Sequence, residues 1–165
     1  MFVARADARD CDPWCGGVAV ASEYLSSGYA GDLSAAEAWT LLSGDETARL
    51  VDVRTEAEWS FVGVPDLSGL GRKVHFVEWQ GFPSMVQNSD FVAKTGAALG
   101  PDKNAPVLFL CRSGGRSRAA AMAMTAAGYA RAYNIAGGFE GDLDRDRHRG
   151  SKSGWKVSGL PWTQT

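Results

Sequence analysis

Residues 106–127 dictate a strand, a tight turn and a helix in that order, and the rest of the chain has to be built around them. Pro-Val-Leu-Phe-Leu at 106–110 is an unbroken apolar run, as expected of a strand covered on both faces. Residues 116–127 are dense in alanine and methionine on nearly every face, which predicts a helix packed deep against a sheet and stopped by Gly128. Between the two lies Cys111-Arg112-Ser113-Gly114-Gly115-Arg116-Ser117, so a thiol sits where a strand hands over to a helix. The first amides of a helix have no intrahelical acceptors, and the helix dipole adds partial positive charge there. A cysteine in such a place loses its proton more easily. Gly114 and Gly115 let the turn curl with its amides inward, and Arg112, Arg116 and Arg118 add cationic groups. The pattern predicts a narrow electropositive nest around a sulfur within reach of solvent.

The elements on either side fit one architecture. Ser34 with Glu37 forms a capping box, and Ala35, Ala38, Trp39 and Leu42 follow at helical spacing until Gly44. Leu50-Val51-Asp52-Val53 reads as a buried strand, and Thr55 with Glu58 starts a second capped helix carrying Trp59 and Val62. Residues 63–71 read as a loop, 74–79 as another strand ended by Gly81-Phe82-Pro83, and Phe91, Thr95, Ala98 and Leu99 as a helix capped by Asn88 or Ser89. Ala132-Tyr133-Asn134-Ile135 reads as a strand closed by Gly137-Gly138. Trp155, Leu160 and Trp162 bring a last turn or helix back onto the body. Strands alternating with helices imply a parallel α/β sheet, and in such sheets ligands collect at the carboxyl ends of the strands, where Cys111 falls.

Composition narrows the function classes. The 165 residues fit one domain, divided here into a loosely ordered extension at 1–30 and a folded body at 31–165. A net charge of −2 gives no field for nucleic acid, and no apolar run approaches the roughly 20 residues that cross a bilayer. Neither nucleic acid nor a membrane is an expected partner. Three cysteines do not make a disulfide framework and suit a reducing compartment, so a cytoplasmic location is expected. Cys11 and Cys15, without a second pair or a placed histidine, make a weak metal signal, and no metal or cofactor is expected. His75 and His148 are isolated, and Trp39, Trp59 and Trp79 are read as core or pocket walls.

The chain resembles the rhodanese-like domain, the sulfurtransferase module. Leu50-Val51-Asp52-Val53-Arg54 followed by Glu58-Trp59, then residues 107–117, then Ala132-Tyr133-Asn134-Ile135-Ala136-Gly137-Gly138-Phe139 recur in the right order over about residues 33 to 143. The resemblance implies a rhodanese-like α/β fold with a central parallel sheet of about five strands flanked by helices. It implies Cys111 as the nucleophile that carries a sulfane sulfur as a persulfide, with Arg112, Ser113, Gly114, Gly115, Arg116 and Ser117 as the substrate loop. The expected partners are a small anionic donor such as thiosulfate and a thiol or cyanide acceptor. Phe61-Val62-Gly63-Val64-Pro65-Asp66 replaces the family's usual Gly-His-Ile-x-Gly-Ala segment, which bears on substrate access.

Three rival readings stay open. A phosphatase or arsenate reductase of related fold uses a similar cysteine loop, but a wider one by one residue than the four residues between Cys111 and Arg116. A non-catalytic rhodanese-like module would bind a partner or only carry sulfur. Cys111 could also be a small apolar core residue, with Arg112 and Arg118 ordinary solvated charges. Asp52 and Arg54 either orient the loop or pair with Glu58 to pin the second helix, and the structural role is favoured.

Overall fold

Short apolar runs separated by capped helices build one parallel sheet. The computed structural model describes residues 28–164. All but the last three residues of the 1–30 extension, with Cys11 and Cys15, lie outside them. In chain order the elements are β1 (Gly31–Leu33), α1 (Ala35–Gly44), β2 (Arg49–Asp52), α2 (Glu56–Val62), β3 (Val64–Pro65), β4 (His75–Phe76), β5 (Gln80–Gly81), β6 (Val86–Gln87), α3 (Phe91–Leu99), β7 (Val107–Leu110), α4 (Gly115–Ala126), β8 (Ala132–Ile135) and β9 (Trp162–Thr163). The main sheet runs β1-β8-β7-β2-β4, all parallel. Strand β7 is therefore central and buried at every residue, as its apolar run requires.

The two-residue period of a strand divides the core into two layers. Val51 and Phe109 point to one face, where Phe91 of α3 and Ala120, Ala121 and Met124 of α4 cover them. Leu50, Leu108 and Leu110 point to the other, packed with Leu42 of α1, Phe139 and the fully buried Trp155. Both predicted capping boxes are present. The Ser34 and Thr55 hydroxyls accept from the N–H groups of Glu37 and Glu58, and each glutamate returns a bond to the cap residue's backbone. Each cap is worth about 1 kcal/mol to its helix.

Four local expectations are revised. Residues 63–71 are not all loop: β3 pairs antiparallel with β9 in the same chain, Val64 opposite Thr163 and Pro65 opposite Trp162. The predicted strand at 74–79 shortens to His75–Phe76, and the chain then makes a separate hairpin, β5 with β6. Helix α3 has Asp90 at its cap without a side-chain bond, while Asn88 instead accepts from the Asp90 N–H. Helix α4 buries one face only, through Ser117, Ala120, Ala121 and Met124, and exposes Met122, because the sheet covers a single side of it.

Candidate functional site

The site forms where β7 ends and α4 begins. Gly114, at φ +106, turns the chain into α4 and donates its N–H to the Cys111 Sγ at 3.1 Å. That left-handed angle is one L side chains rarely adopt. The Gly137-Gly138-Phe139 turn that follows β8 holds the loop from behind: the Phe139 N–H donates to the Cys111 carbonyl and the Glu140 N–H to that of Arg112. A Cβ at Gly138 would stand 2.4 Å from the Cys111 carbonyl oxygen, so only glycine admits this approach. Gly114 is thus explained by its backbone angle and Gly138 by backbone contact between the two loops.

Cys111 is 2% exposed, far less open than the loop pattern predicts. Its side chain belongs to the core layer that contains Val53, Phe109 and Ala120, and Ser117 Oγ lies 3.2 Å from its sulfur. Ser117 is in turn 2.6 Å from Asn134 Oδ1, and both are buried. Of the other loop residues, Arg112 is exposed, Ser113 is half-buried, Gly114 is buried, and Gly115 and Arg116 open α4.

Beside the loop is a cavity of about 640 Å³. Arg112, Arg116 and Arg149 line it with the acids Glu58 and Glu140, and Ala57, Val62, Phe82 and Met85 form apolar walls. Arg116 is not a free cation. Its two terminal nitrogens donate to both Glu58 carboxylate oxygens at 2.8 and 2.7 Å, a bidentate pair. Burial alone would push the Glu58 carboxyl up, but the Arg116 guanidinium and the Thr55 N–H and hydroxyl outweigh it and hold it at about 2. Burial pulls Arg116 down, and the bonds and charge of Glu58 more than restore it.

Asp52 and Arg54 pair with each other. Both are fully buried, and Arg54 Nε and Nη2 donate to the Asp52 carboxylate at 2.6 to 3.0 Å. Arg54 also donates to the carbonyl of Gly63, the residue that ends α2, and stacks 4.1 Å from the Phe139 ring centroid. The expected pairing of Arg54 with Glu58 is replaced by one with Asp52, because Glu58 is taken by Arg116. Arg118 pairs at the surface with Asp32 of β1. The sequence offered Glu58 as a cap and as a partner for Asp52 and Arg54, not for Arg116, and Asn134 only as a strand residue. A polar side chain in the middle of an otherwise apolar strand was the available signal for Asn134.

The family model for the STR4 middle domain matches residues 30–165. A protein of Arabidopsis thaliana, the chloroplastic rhodanese-like domain-containing protein 4, is 30% identical over 131 residues, 79% of this chain. The chain belongs to the rhodanese-like family. It spans a quarter of the length of that plant protein. The uncharacterized protein RC0915 of Rickettsia conorii is 39% identical over 131 residues, 79% of this chain and 95% of that one. The crystal structure of Rv0390 from M. tuberculosis superposes with a TM-score of 0.76 at 52% identity, covering 83% of this chain and 99% of that one. The polysulfide-sulfur transferase homodimer of Wolinella succinogenes shares the fold at 22% identity, with a TM-score of 0.56 over 88% of this chain and 89% of that one. The rhodanese-like domain thus places its loop cysteine at the end of the central strand, under one amide donor and beside a cavity that carries three arginines.

Proposed function

We propose that the protein is a sulfurtransferase in which Cys111 takes a sulfane sulfur from thiosulfate, or a similar small anion, and passes it to a thiol or to cyanide. The observation that carries this reading is the Cys111 sulfur at the carboxyl end of the central strand, held by the Gly114 N–H at the mouth of α4, with Arg112 and Arg116 of the same loop facing the cavity. In the first step the Cys111 thiolate attacks the outer sulfur of thiosulfate. The sulfur–sulfur bond of the donor breaks, its electron pair leaves with sulfite, and Cys111 carries the persulfide. Charge shifts from one sulfur to another and to the sulfite oxygens, and the Gly114 N–H with the exposed Arg112 stabilises it without a separate general base.

The near-closed position of Cys111 suits the transfer of one atom. On this reading the persulfide bond, about 2 Å long, extends the side chain so that an acceptor thiol entering by the cavity can reach the outer sulfur. Because Glu58 already neutralises Arg116, the cavity is a modest anion site, and what disfavours the phosphatase reading is the loop of only four residues between Cys111 and Arg116. The test is thiosulfate-dependent thiocyanate formation in the wild type and in Cys111→Ser. The variant is expected to lose it while keeping the wild-type circular dichroism. Undiminished turnover refutes the assignment, and hydrolysis of an aryl phosphate by the wild type without sulfur uptake would replace it with the phosphatase reading.

A further inference from the structure

From the Cys111 sulfur a chain of polar side chains runs away from the cavity to the edge of the sheet. Ser117 Oγ lies between Sγ, at 3.2 Å, and Asn134 Oδ1, at 2.6 Å. Asn134 Nδ2 donates to Asp32 Oδ1 at 2.7 Å, and Asp32 also accepts from the Tyr29 hydroxyl and from Arg118. A serine hydroxyl has one proton, so it can donate to only one of its two neighbours.

Asp32 decides which. Partial burial pushes its carboxyl up, but the bonds from Asn134, Tyr29 and Arg118 prevail and hold it below the ordinary carboxylate range. It is therefore an acceptor only, and Asn134 must turn its amide nitrogen toward it. The Asn134 oxygen then faces Ser117. That oxygen has no proton to give, so the Ser117 proton goes to it and the hydroxyl presents a lone pair to the sulfur. We infer that Asp32, acting through Asn134, fixes the direction of the contact at Cys111, so that Ser117 accepts from the thiol instead of donating to the thiolate.

The consequence opposes the nest. The Gly114 N–H favours a charged sulfur, whereas the Ser117 lone pair favours a protonated or covalently substituted one. The other charged groups around Cys111 are Arg112 in its own loop, the Arg116–Glu58 pair from α4 and α2, and the Arg54–Asp52 pair at the end of β2. Each arginine of those two pairs has its carboxylate beside it. On the sulfur-transfer reading, an acceptor thiolate attacks the outer sulfur of a neutral persulfide, the bond to Sγ breaks, and the electron pair returns to Sγ as a thiolate. The proton stays on the transferred sulfur in the new persulfide. Ser117 makes that thiolate a poorer leaving group, so the Asp32 chain holds the sulfur on Cys111 and slows its release. Asp32, Asn134 and Ser117 are positioning residues in this account.

The experiment is the pH profile of iodoacetamide alkylation of the full chain, with peptide mass mapping to separate Cys111 from Cys11 and Cys15. Ser117→Ala removes the lone pair, and Asp32→Asn frees the Asn134 amide to reverse. Both are expected to move the Cys111 midpoint to lower pH by about one unit, which is about ten-fold faster alkylation below the midpoint. Arg118→Ala removes a partner of Asp32 but keeps its carboxylate, and leaves the midpoint in place. Should Ser117→Ala not fold, the nearly isosteric Asp32→Asn at the partly exposed edge carries the same sign. A midpoint that rises in Ser117→Ala shows that Ser117 donates to the thiolate and overturns the inference. So does an unmoved midpoint in Asp32→Asn, or an equal shift in Arg118→Ala. Faster loss of Cys111 persulfide to added thiol in Asp32→Asn completes the case, and an unchanged or slower loss overturns the sulfur-holding role. If Cys111 takes up no sulfur at all, the sulfur-transfer reading fails while the alkylation profile still decides the direction of the contact.

Discussion

Two arginine–carboxylate pairs stand near the end of the sheet, and they differ in depth. Arg54 and Asp52 are sealed, with both side chains 0% exposed, whereas Arg116 and Glu58 retain 15% and 19% of their surface in the cavity wall. The sealed pair cannot meet a substrate. It ties the end of β2 to the end of α2 through the Gly63 carbonyl, and Arg54 Nη1 has no hydrogen-bond partner among the described residues. The half-open pair does two things at once: Glu58 caps α2 locally and reaches across to neutralise Arg116, which leaves Arg112 as the loop's exposed cation. Arginines of one site thus divide into a strut, a restrained wall and a free charge according to burial and partner.

The largest effect should come from breaking the sealed pair. Arg54→Met leaves Asp52 buried without its counter-charge, and a loss of about 3 to 5 kcal/mol in urea unfolding is expected. A loss under about 1 kcal/mol would show that the interior there is wet enough to solvate the carboxylate. Next comes Glu58→Gln, which keeps a capping side chain but loses the bidentate ion pair, for about 1 to 3 kcal/mol. The same pair predicts a pH dependence. The Glu58 carboxyl is held at about 2 against an ordinary 4.5, so its contribution is complete above the ordinary value and disappears as pH falls from 4.5 toward 2. Acid titration of stability should therefore be shallower in Glu58→Gln than in the wild type, and parallel curves would contradict the assignment. The smallest change in stability belongs to Arg112→Ala, within about 0.5 kcal/mol because the side chain is exposed. On the proposed function that variant still raises the KM for thiosulfate, and an unchanged KM would remove Arg112 from the site.

This contrast also marks what could be read from the chain alone. The capping boxes at Ser34 and Thr55 were legible because both partners lie within one turn, and β2, β7 and β8 because a strand in the sheet interior needs an apolar run. The strand-to-helix position of Cys111 followed from the same signals. Pairings between distant segments were not legible. Glu58 meets Arg116, Asn134 meets Asp32, and β3 meets β9 only once the strand order and the return of the carboxyl-terminal segment bring them together. Local pattern also could not foresee how nearly the thiol is enclosed, since that depends on core packing around Cys111 and on the position of Ser117 in α4.

Sulfur loading of Cys111 can be read by mass mapping after brief treatment with thiosulfate. A gain of one sulfur located on Cys111 and removed by cyanide is expected. Sulfur found only on Cys11 or Cys15, or none on an intact and folded chain, would contradict the sulfur-transfer reading.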